Sequence, residues 1–194
     1  MKKTFLLLPV TATLAIATLS AHAQFTVHSR PSVFTRALVP SNLRQIPYKE
    51  WAPKGDPNSP AQWQHTEFAS DDKQVIFTVD THANSMGKTI AKFFNDELVE
   101  RAQGGDHINY SVLKTDWYVI SGTNSQGFEF YEKFFALPKV NITKNFEDYV
   151  PHYWVSFDFV YPYDQRKKYD PMVATIAKGF DPGTETNFDL QNSH

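Results

Sequence analysis

From residue 63 onward, apolar and polar positions fall into two periods. The segments QHTEFAS (64–70) and KQVIFTVDTH (73–82) alternate with period two and flank the turn residues Ser70, Asp71 and Asp72. They read as a β-hairpin, with Val75, Phe77 and Val79 on one face and Ile76 and Thr78 on the other. The period then changes. Over 86–103, Ile90, Phe93, Phe94, Glu97, Leu98 and Arg101 recur at i, i+3, i+4, and the apolar members make the stripe of an amphipathic helix. Asn84 or Ser85 supplies its cap, and Gly104-Gly105 ends it.

Period two returns in HINYSVLKT (107–115) and in the stretch DWYVISGTNSQGFEFYEKFF (116–135). In the second stretch Trp117, Val119 and Ser121 alternate with Tyr118 and Ile120. Beyond a Gly-Thr-Asn-Ser-Gln-Gly loop, Phe128, Phe130 and Phe134 alternate with Tyr131 and Phe135. Alternation on both sides of a short polar loop predicts a hairpin. Both faces of both strands are apolar, which places them mid-sheet, covered on two sides. Residues 138–151 read as a long polar connection. HYWVSFDFVYP (152–162) is a further strand, with Tyr153, Val155, Phe157, Phe159 and Tyr161 on one face and Pro162 as its stop. Asp170-Pro171 opens a last helix over 171–180, with Asp as cap and Pro at its first position. Its stripe is Val173, Ile176, Ala177 and Phe180.

The front of the chain is different in kind. Residues 1–23, MKKTFLLLPVTATLAIATLSAHA, combine Lys2 and Lys3, a short apolar run and an Ala-His-Ala site. That is the pattern of a secretory signal peptide. Residues 24–60 carry six prolines and read as an irregular strap, with one short strand near 25–29, that lays Phe34, Leu38, Leu43, Ile46 and Trp51 over the rest. A single α+β domain over 61–182 and a polar tail over 183–194 complete the organisation. The expectation is an antiparallel sheet of about five or six strands with helices packed on it.

Composition narrows the chemistry. The chain has no cysteine, so thiol catalysis, disulfides and Cys-ligated zinc are excluded. Net charge is −2 with no basic stripe, which argues against nucleic acid as a partner. No apolar run after the leader is long enough to span a bilayer. Together with the leader, this makes a periplasmic or secreted protein the expectation.

Candidate sites are few. SMGKT (85–89) matches the end of a phosphate-binding loop, but His82 stands where its first glycine is required. Ser121 is the one imaginable nucleophile, yet Val119 and Thr123 occupy the glycine positions of a nucleophile elbow. The histidines show no close pair of the helical metal-binding kind. Glu129 and Glu132 fall on opposite faces of one strand, so they cannot form a catalytic dyad. Asp158, between Phe157 and Phe159, is a candidate for a raised pKa. For partner binding the candidates are Phe146, Tyr149, Trp51, Trp63 and Trp154, aromatic residues in or near irregular segments.

Several motifs carry a resemblance. They are YSVLK (110–114), DWYVISG (116–122), FYEK (130–133), and Tyr161-Pro162 followed by Tyr169-Asp170-Pro171. In this order, over roughly 63–182, they resemble a group of small exported bacterial proteins similar to the PsbP-like fold, named for an extrinsic subunit of the photosynthetic oxygen-evolving complex. The resemblance implies an antiparallel sheet with packed helices and no known catalytic machinery. It also implies an accessory, scaffolding, stress or envelope role. The segment before Pro60 lacks the opening motif of that pattern, and 138–151 looks like an enlarged insertion. The functional expectation is a non-enzymatic exported protein, without a cofactor, that binds a periplasmic or envelope protein or supports an envelope assembly. An immunity-type inhibitor of a secreted toxin and a hydrolase using Ser121 are the alternatives.

Overall fold

The computed structural model describes residues 25–30, 35–51, 65–137 and 150–183. The leader, Trp63, Phe146, Tyr149 and most of the expected insertion lie outside the described residues. Among the described residues a seven-stranded antiparallel sheet runs in the order β3-β4-β5-β9-β8-β7-β6. Its strands are β3 (Arg44–Ile46), β4 (His65–Ala69), β5 (Ile76–Ala83), β6 (His107–Leu113), β7 (Trp117–Thr123), β8 (Phe128–Leu137) and β9 (Tyr153–Pro162). Six of the seven are the strands that alternation predicts. The seventh, β3, is three residues long at the sheet edge, too short to show a period.

β1 (Phe25–Arg30) and β2 (Thr35–Pro40) pair as a separate antiparallel ribbon. A four-residue helix, α1 (Tyr48–Trp51), follows β3. The segment read as an irregular strap therefore carries two strands that its prolines concealed. Pro40 closes β2, and Pro47 separates β3 from α1, so both sit at element ends where a missing N–H is harmless. The covering role holds where it can be seen: Leu43 and Ile46 are buried, and Leu38 packs on the core.

The two long helices cover opposite faces of the sheet. α2 (Ile90–Gln103) starts later than the 86–103 stripe indicates. Its cap is Thr89, whose Oγ1 accepts from Lys92 N at 3.1 Å, and not Asn84 or Ser85. Asn84 instead closes the turn before the helix. Its side chain accepts from Lys88 N and donates to the carbonyls of Lys88 and Pro151. α3 (Arg166–Gly179) begins before the Asp170-Pro171 pair read as its start. A 3-10 turn over Tyr163–Gln165 leads straight into it. Pro171 then costs only one intrahelical bond, to the Lys167 carbonyl. The Asp170 carboxylate accepts from the Tyr161 hydroxyl at 2.7 Å.

Alternation divides the core as expected. Tyr153, Val155, Phe157, Phe159 and Tyr161 of β9 join Phe77 and Val79 of β5 beneath α3, whose Tyr169, Val173, Ile176 and Ala177 pack on them. On the other face Tyr118 and Ile120 of β7 and Phe130, Phe134 and Ala136 of β8 meet Ile90, Phe93, Phe94 and Leu98 of α2. The 116–135 stretch is thus a hairpin between two covered faces. Its turn is shorter than the glycines imply: Gly122 lies within β7, and Asn124 closes the loop by accepting from Gln126 N and Phe128 N. Gly127 takes φ +83°, a left-handed value that favours glycine.

Candidate functional site

The stripe of α2 is not wholly apolar. Glu97 and Arg101 lie on it one turn apart, and that spacing points both side chains at the sheet. β8 and β9 place Glu132 and Asp158 opposite each other in register. Like charges in directly opposed positions repel, so this pair needs a cation, and Arg101 provides it. Arg101 Nη2 donates to Glu132 Oε2 at 2.8 Å and to Asp158 Oδ1 at 3.2 Å. Its Nε lies 2.8 Å from Glu97 Oε1, and Nη1 donates to Asp106 Oδ2 at 3.5 Å. The guanidinium also stacks over Phe130, 4.1 Å from the ring centre. Tyr118 donates its hydroxyl to Glu132 Oε1 at 2.9 Å.

One guanidinium thus serves four carboxylates in a half-buried setting, and the imbalance shows in the proton affinities of Glu97, Glu132 and Asp158. Burial pushes Glu97 up to about 7, and Glu132 adds to it. Burial and the charge of Asp158 raise Glu132 to about 7, against the pull of Arg101. Asp158 is also raised to about 7, chiefly by burial, with Arg101 opposing and Asp80 adding. Burial works against the charge of Arg101, but Glu132, Asp158 and Glu97 outweigh it and hold its pKa above the ordinary value. Tyr118 is raised well above its usual range by burial and by Glu132, so it remains a donor.

Beside this hub a cleft of about 270 Å³ opens between α2 and the sheet. Carboxylates of Asp96, Glu97, Glu100, Glu132 and Asp158 line it, against the cations Lys88 and Arg101. Its apolar wall is Phe93, Phe134 and Trp154. Trp154 stacks on Phe134 at 5.4 Å and meets His82 at 4.5 Å on its other side. Lys88, the lysine of the SMGKT segment, donates its ammonium to Asp96 at 2.9 Å. It is occupied by a carboxylate, and the segment serves as the turn into α2.

Of the five candidate binding aromatics, Trp154 lines this cleft and Trp51 ends α1. Trp63, Phe146 and Tyr149 lie outside the described residues. Ser121 is a mid-strand residue of β7, paired with Tyr110 on one side and Tyr131 on the other. Glu129 and Glu132 are on opposite faces, as alternation requires: Glu129 meets Thr123 and Arg166, and Glu132 meets Arg101. Further along the α2 side, His65 Nδ1 and Asp80 Oδ1 are 2.6 Å apart, and Asp80 is in register with Ser156. Asp80 therefore stands between the histidine and the serine. A nucleophile–base arrangement needs the histidine in that place. Among the described residues no cluster of three or more His, Cys, Asp or Glu is arranged to hold a metal ion.

One solved structure similar to this chain decides the fold. The solution structure of cyanobacterial PsbP (CyanoP) from Synechocystis sp. PCC 6803 aligns with a TM-score of 0.53 at 13% identity, covering 88% of this chain and 99% of that one. The fold is PsbP-like. The Saccharomyces cerevisiae Ran-binding protein Mog1p aligns at 7% identity with a TM-score of 0.48, over 84% of this chain and 98% of that one. No family model and no curated protein matches the sequence. The architecture implied by the sequence motifs is therefore present, and the PsbP-like framework carries the α2 cleft. Of the acidic hub the sequence reading named one member, Asp158, whose raised pKa the structure bears out. The rest escaped it, although the signal was there in two charged residues on a helix stripe and a carboxylate on the α2-facing side of each of two apolar strands.

Proposed function

We propose that this chain is a non-enzymatic exported protein that works by binding, in support of an envelope assembly, and that its α2 cleft receives a basic segment of a protein partner. The observation that carries the reading is the cleft itself, with five carboxylates against two cations over an aromatic wall. Such a surface attracts Lys and Arg by field and by contact. Opposed potentials steer encounter, and aromatic faces favour cations. The leader read at 1–23 supports export, and no helix among the described residues is long and apolar enough to cross a membrane. An immunity-type inhibitor is the second reading, because the same acidic cleft would complement a basic toxin.

The test is a pull-down of the tagged mature protein from periplasmic extract, run beside a Glu100→Lys variant. Glu100 lies on the exposed rim of the cleft, so its reversal leaves the core alone. The expected result is an envelope protein retained by the wild type and lost from the variant. A toxin among the retained proteins would favour the inhibitor. A partner held equally well by both would remove the cleft from the proposal.

A further inference from the structure

The two ends of α2 are anchored by different physics. Its N-terminal half is held by apolar contacts, since Ile90 is fully buried and Phe93 and Phe94 pack on the sheet. Its last turns offer Leu98 and the Arg101 hub, while Val99 is 55% exposed. The C-terminal half is therefore held chiefly by one guanidinium among carboxylates from four elements: Glu97 of α2, Asp106 of the following turn, Glu132 of β8 and Asp158 of β9. With all four ionised, three negative charges are left uncompensated in a half-buried space.

We propose that the C-terminal half of α2 is a pH-responsive clamp, closed on the sheet when the carboxyl cluster around Arg101 retains a proton and loosened, widening the cleft, when every member is ionised. The neighbours do not cancel the effect. Lys88 is taken up by Asp96, which Lys92 also engages, and Glu100 adds a further negative charge on the same helix. Asp80 of β5 adds negative potential to Asp158, and His65 of β4 is paired with Asp80 and lies near Glu67. β7 offers the Tyr118 hydroxyl, a donor to Glu132, while β6 meets α2 with apolar Ile108 and Leu113. Proton release from Glu97, Glu132 and Asp158, all raised to about 7, falls in the range where a periplasm or an external medium varies.

Hydrogen–deuterium exchange of the full chain between about pH 5.5 and pH 8, corrected for intrinsic exchange, tests the clamp. Protection of amides 97–103 should fall by about tenfold or more across this range, one unit of pKa being a factor of ten. Amides 172–179 of α3, on the other face, should lose clearly less protection than amides 97–103 and serve as the internal control for the change in global stability. A Glu97→Gln, Asp158→Asn double variant, neutral at both positions at every pH, should keep amides 97–103 protected throughout. Protection of 97–103 that does not change with pH, a loss in α3 as large as that in 97–103, or an unchanged pH response in the variant would each overturn the clamp. Should the variant fail to fold, the wild-type comparison of the two helices decides alone.

Discussion

At the scale of single residues, the sequence hides the most consequential side chain. Arg101 looks like an ordinary surface arginine until its helical phase is considered together with Glu97. Only 18% of its side chain is exposed, and that of Glu132 is 7% exposed. Removing one partner of a buried ion pair strands the others, at a typical cost of about 3–5 kcal/mol. Arg101→Met should lose an amount of that order in urea denaturation at neutral pH; a loss below about 1 kcal/mol would show that solvent screens the cluster. Gly122 is constrained in another way. A Cβ there would run into the His107 carbonyl oxygen, where β6 slips register against β7. Gly122→Ala must push the edge strand away, and a destabilisation of about 1–3 kcal/mol is expected, as for overpacking generally.

At the scale of elements, legibility follows period and length. Strands of seven to ten residues with an alternating face, such as β7, β8 and β9, were readable because burial on each face is recorded at every second position. β2 and β3 were not readable. β3 has only three residues, and β2, although it has six, ends in a proline and lies in a proline-rich segment whose turn chemistry outweighed its alternation. Helix starts were displaced in both directions for a local reason: side chains that make good caps were engaged elsewhere. Asn84 closes a turn, Asp170 accepts from Tyr161, and Thr89 does the capping of α2. This assignment is checkable. Thr89→Ala should cost about 1 kcal/mol, the usual value of an N-cap, while Ser85→Ala should stay within about 0.5 kcal/mol. The reverse order would return the cap to the earlier position.

At the scale of the whole molecule, the fold was legible and the site was not, because the site is made by register between strands distant in sequence. Glu132 and Asp158 meet only when β8 and β9 pair, and Arg101 reaches them only when α2 lies across that pair. Once assembled, the cluster ties global stability to pH. The folded protein holds protons on Glu97, Glu132 and Asp158 up to about 7, whereas free carboxyls release them near about 4. Between those values the native state binds more protons than the unfolded chain, so stability falls as pH rises. The contribution is complete below the unfolded value and is lost as pH passes through the folded one. Asp72 and Asp96 are shifted the other way, held low by hydrogen bonds from Ser70 and from Lys92, and they act only in stronger acid. The protein should therefore melt at a higher temperature near about pH 5.5 than near about pH 8, and Glu132→Gln should flatten the difference. A melting temperature that climbs steadily from about pH 5.5 to pH 8 would mean that the cluster is ionised throughout, with Arg101 compensating its charge better than the geometry allows.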